Sequence, residues 1–79
     1  MEKLQLEARK LSAIHFGGKL ADNVNIAGVP RQAIHSPLRQ WIEKGRVVSK
    51  KTLFPQIRPF LIGCGMDEAK ADELLAAAA

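Results

Sequence analysis

The sequence contains no tyrosine, one cysteine and one tryptophan in 79 residues. Trp41, Phe16, Phe54 and Phe60 are all of its aromatics. The core must therefore be mostly aliphatic, and the aromatic strands on which sheet-based RNA readers stack bases are missing. A lone thiol, Cys64, excludes an intramolecular disulfide and any zinc site built on several thiolates. It suits a reducing compartment. No apolar run approaches the ~18 residues that would cross a bilayer. The opening MEKLQLEARKL alternates charge with leucine and has no secretory apolar stretch. A cytoplasmic location without a membrane partner is expected.

Catalytic and ligand-binding patterns are missing as well. GxxxxGK[ST] does not occur, so no phosphate cradle of that kind is expected. His15, His35 and Cys64 lack the paired spacing of a metal site. Cys64 lies between Gly63 and Gly65 with no base placed beside it, and a nucleophile needs one. Asp67, Glu68, Asp72 and Glu73, with Lys70 among them, read as a solvated helix face. The expectation is no enzyme, no catalytic residue, no metal and no cofactor.

What is present is a foldable composition, 47% hydrophobic and 25% charged. A chain this short forms one domain, residues 1–79, and buries ~60–65% of its unfolded surface. That is room for one core and not for a deep cleft.

The pattern predicts an all-α fold, a small bundle of about five short helices with a helix-turn-helix-like unit. Residues 2–16 carry Leu4, Ala8, Leu11 and His15 on one stripe, with Leu4, Leu11 and Ile14 as its aliphatic part. Gly17 and Gly18 end that helix. Residues 19–27 suit a second helix, with Leu20, Val24 and Ala27 on one face, broken by Gly28. Pro30 fits the first position of a third, through His35. Ser36 and Pro37 read as the cap and first residue of a fourth, Pro37 to Lys44, burying Leu38, Trp41 and Ile42 and ended by Gly45. Arg46–Val48 is the one short extended segment expected, and Lys50, Lys51 and Thr52 a polar connection. Pro55 and Pro59 predict a helix that starts near Pro55 and breaks or restarts at Pro59. Asp67 caps a last, acidic helix from Glu68 to about Ala78. Its Leu74 and Leu75 are the candidate contact of a homodimer.

Charge is polarised along the chain. Residues 31–58 hold seven cations against Glu43 alone, a balance of +6, whereas residues 67–79 come to −3. A basic centre fits a polyanion or an acidic surface.

Within that centre, Gly28-Val29 is followed by Pro30-Arg31-Gln32-Ala33-Ile34-His35. The run resembles the turn and recognition helix of phage Cro and repressor-type helix-turn-helix proteins, over residues 20–38. The resemblance implies a positive φ at Gly28, burial of Val29 and Ile34, and Arg31, Gln32, His35 and Ser36 facing the major groove. Two positions depart from the family's pattern. Val24 stands where a small residue is expected, and Pro37 where a further apolar anchor is expected. Arginine can pair with a guanine edge and glutamine with an adenine edge, while Arg39, Lys44, Arg46, Lys50 and Lys51 suit phosphates. The resemblance thus implies a small transcriptional repressor of phage or plasmid type, bound to double-stranded DNA. The alternative is an interaction module that binds an acidic host protein, with Leu53, Phe54, Phe60, Leu61 and Ile62 as an exposed anchor.

Overall fold

A computed structural model of the chain describes residues 2–18, 20, 25, 26, 28, 29, 34 and 37–78. Four helices lie within them: α1 (Glu2–Phe16), α2 (Pro37–Lys44), α3 (Lys50–Gly63) and α4 (Glu68–Ala78). The expected helices at 19–27 and 30–36 lie largely outside the described residues, and Val24 with them. No strand occurs among the described residues. Arg46–Val48, expected as a short extended β-like piece, is an exposed connection between α2 and α3. Two β-branched residues without a neighbouring strand have no ladder to join.

The helices form a closed circuit, α1 against α2, α2 against α3, α3 against α4 and α4 back against α1. Trp41 and Phe60 are its largest fully buried side chains, among Leu4, Leu20, Ile34, Leu38, Ile42, Leu53, Ile57 and Leu61. Ala8 and Ala71 are fully buried too, and such small residues allow close approach of helix backbones.

The buried stripe of α1 is Leu4, Ala8 and Ser12, with Leu11 packed beside it. Ile14, expected in the core, is 75% exposed. At 3.6 residues per turn it lies about 80° from Leu4, on the side away from Ser12. His15 falls near the stripe but is exposed at the end of the helix.

Helix α2 keeps the expected bounds and buries Leu38, Trp41 and Ile42. It ends at Gly45, whose φ is +66°. The Gly45 N–H donates to the Trp41 carbonyl at 2.9 Å and the Arg46 N–H to the Gln40 carbonyl at 3.2 Å. A Cβ at Gly45 would lie 3.1 Å from Nε2 of Gln5, and that amide also donates to the Trp41 carbonyl, at 3.2 Å. The tail of α2 is thereby fastened to α1.

Helix α3 departs most from expectation. It begins at Lys50, not near Pro55, and runs through both prolines to Gly63. Lys50, Lys51 and Thr52 are its first turn rather than a loop. Ser49 caps it, its Oγ accepting from the Thr52 N–H at 3.4 Å and donating to Thr52 Oγ1 at 3.2 Å. Each proline removes one ladder donor, which costs ~3 kcal/mol in a helix interior. Leu53, Ile57, Phe60 and Leu61 recur at helical spacing and are all fully buried, each contributing about 1.5–3 kcal/mol. Burial outweighs the two lost donors. The C-terminus closes with Gly65 N–H to Ile62 C=O and Met66 N–H to Leu61 C=O, both 3.0 Å, the paired bonds of a Schellman end.

Asp67 caps α4, its carboxylate accepting from the Ala69 N–H at 3.1 Å. Leu74 is buried and Leu75 and Ala78 pack against the same core. Leu74 and Leu75, expected as a dimer contact, therefore pack within their own domain, because α4 has no other large apolar side chain to bury.

Candidate nucleic-acid interface

The glycine turn has the backbone its sequence implies. Gly28 has a φ of +83°, and the Val29 N–H closes the turn on the Ile26 carbonyl at 3.0 Å. Ile26, Val29 and Ile34 are buried. A Cβ at Gly28 would come 3.5 Å from Cβ of Pro59, so the turn rests beside α3. The candidate groove-facing residues Arg31, Gln32, His35 and Ser36 lie outside the described residues.

The five candidate phosphate contacts divide into two kinds. Arg39 is half-buried and its Nε donates to Glu43 Oε2 at 3.1 Å. The same oxygen accepts the Leu20 N–H at 3.0 Å. Arg39 thus helps hold the segment after α1 against α2. Lys44, Arg46, Lys50 and Lys51 are exposed and form no ion pair among the described residues. They span eight consecutive positions, 44–51, that contain no acid.

This segment runs against local electrostatic preference. The first turn of a helix carries a partial positive charge and favours acids. The first turn of α3 has no acid and carries Lys50 and Lys51 instead. The leading N–H groups of a helix also lack intrahelical acceptors. Ser49 takes the Thr52 N–H, and the two lysines stand at the electropositive end of the helix, where an anion is stabilised. Lys50 Nζ sits 5.9 Å from the centre of the Phe54 ring, an arrangement that keeps its stem along α3.

Arg58, counted with the basic centre from sequence, is neutralised across the helix pair. Its Nε donates to Asp72 at 2.8 Å and its terminal nitrogen to Glu68 at 3.5 Å. The hydrogen bond from Arg58 holds the Asp72 carboxyl below its ordinary range. The acidic face of α4 is thereby partly used to join α4 to α3, and among the described residues the cations of the centre that form no ion pair are those at 44–51.

Reading from sequence missed the apolar part of this surface. Val47 and Val48 are 45% and 55% exposed, side by side between Arg46 and Ser49. Their signal was a β-branched pair flanked by cations with no strand partner in the pattern.

The anchor proposed for a protein-binding alternative is largely internal. Leu53, Phe60 and Leu61 are fully buried and Phe54 and Ile62 half-buried. They fill the centre together with Trp41, Leu38, Ile42 and Ile57. Cys64 is buried, and burial pushes its thiol up to about 11, so it stays protonated near neutral pH. Among the described residues no cluster of three or more His, Cys, Asp or Glu could hold a metal ion, and no helix is long and apolar enough to cross a membrane.

Comparison of the chain with protein-family models, curated proteins and solved structures gave no match.

Proposed function

We propose that this chain is a small DNA-binding regulator of helix-turn-helix type, a binding protein rather than an enzyme. The observation that carries the reading is the acid-free, exposed segment 44–51, with Lys50 and Lys51 at the electropositive end of α3. The positive φ of Gly28 and the burial of Val29 and Ile34 support the resemblance to Cro and repressor-type proteins. In this reading the segment Pro30–Ser36 enters the major groove and presents Arg31, Gln32 and His35 to base edges. Lys44, Arg46, Lys50 and Lys51 grip phosphates and set the register. Arg39 acts mainly by positioning α2.

Titration of a labelled random-sequence duplex, followed by fluorescence anisotropy, tests this. Micromolar affinity is expected at about 50 mM salt. Four neutralised phosphates give a slope of about −3.6 in log affinity against log salt, a loss of roughly two orders of magnitude by about 200 mM. Absence of binding at the lower salt would overturn the reading.

A further inference from the structure

We infer that Arg46, Val47 and Val48 enter the minor groove of the bound duplex, an inference that rests on the DNA-binding reading and adds to it where the α2–α3 connection goes. The three residues form a short non-helical span fixed at both ends. On one side Gly45 and Arg46 close onto the carbonyls of Trp41 and Gln40. On the other Ser49 caps α3 and accepts the Leu53 N–H through its carbonyl at 2.8 Å. Fixing the ends reduces the ordering cost of binding.

Shape and chemistry then select the groove. The minor groove is about 6 Å wide, too narrow for a helix of about 10 Å diameter but open to a short non-helical connection. Its negative potential attracts arginine, most strongly where it is narrow. Apolar side chains are used there against sugars and base steps. Arg46 with Val47 and Val48, all exposed, supplies both kinds of contact at consecutive positions. Lys44, Lys50 and Lys51 flank them for the phosphates of the groove walls, while Arg46 lies between those walls instead of on one phosphate and still displaces a counterion, so the slope expected for four cations is unchanged. An anionic membrane shares the negative charge, but interfacial anchors are amphipathic helices bearing tryptophan, phenylalanine or leucine. This segment is not helical between Gly45 and Ser49, and its apolar residues there are two valines.

Inosine-substituted DNA separates the grooves. An I·C pair lacks the guanine amino group, so it resembles A·T in the minor groove and G·C in the major groove. The full chain is titrated with alternating A·T, G·C and I·C duplexes and with vesicles containing phosphatidylserine. The I·C duplex is expected to bind like A·T. The V47S/V48S variant, changed at exposed positions and checked for native helicity, should lose about tenfold in affinity with an unchanged salt slope. Arg46→Lys keeps the charge and should erase the preference for A·T and I·C over G·C. If I·C follows G·C, or V47S/V48S binds like the parent, the minor-groove inference falls while DNA binding stands. If the parent chain binds no duplex at about 50 mM salt, both fall, and uptake by the vesicles alone would make the segment a membrane contact.

Discussion

Gly45 shows how one residue ties the fold to the candidate interface. Its φ of +66° is a conformation that a side chain disfavours, and Gln5 occupies the space a Cβ would need. Gly45→Ala is therefore expected to destabilise the protein by about 1–2 kcal/mol, the usual scale for placing a Cβ at positive φ. Urea unfolding checks it: the midpoint should fall with the slope unchanged. A midpoint equal to the parent's would mean that the α2 end does not depend on this residue. Single residues also show where local reasoning stops. The stop signals Gly17, Gly18 and Gly45 were readable because glycine's preference is intrinsic. The fate of Arg39 was not, since it depends on Glu43 and on the Leu20 N–H, 23 positions from Glu43.

At the scale of elements, α3 carries the sharpest conflict between propensity and packing. Pro55 is exposed within the helix and leaves the Lys51 carbonyl without its ladder donor. Pro55→Ala restores that donor. It also loosens the unfolded chain, which offsets part of the gain. The expected net effect is a stabilisation of about 1–2 kcal/mol, read as a Tm rise of roughly 5–10 °C for a domain this size. A Tm equal to or below the parent's would show that the proline ring contributes packing or a bend that alanine cannot supply. The same conflict explains what could be read of the elements. α1, α2 and α4 have the expected bounds because Gly, Pro and Asp punctuate them locally. α3 was misplaced because the burial of Leu53, Ile57, Phe60 and Leu61 against other helices is decided by the whole fold. The exposure of Val47 and Val48 was hidden for a similar reason, as nothing in a β-branched pair tells whether a strand partner exists.

At the scale of the whole molecule, the arrangement of charge follows from the circuit of helices. α4 docks against α1 and α3 and brings Asp72 and Glu68 onto Arg58. That removes one cation from the basic centre and leaves Lys44, Arg46, Lys50 and Lys51 exposed along 44–51. The sequence disclosed the excess of cations but not this sorting into paired and unpaired groups, which needs the tertiary contacts. The large aromatics have a comparable history. Phe60 reads from sequence as core before anchor, because a chain this small needs it inside, and α3 does turn it inward. The central claim is that the unpaired segment grips a phosphate backbone. It is tested most directly by comparing the salt dependence of duplex affinity for the parent chain and for a K50S/K51S variant. Two of four phosphate contacts removed should halve the slope, from about −3.6 to about −1.8, and weaken all duplex sequences alike. A variant whose slope equals the parent's would contradict the claim.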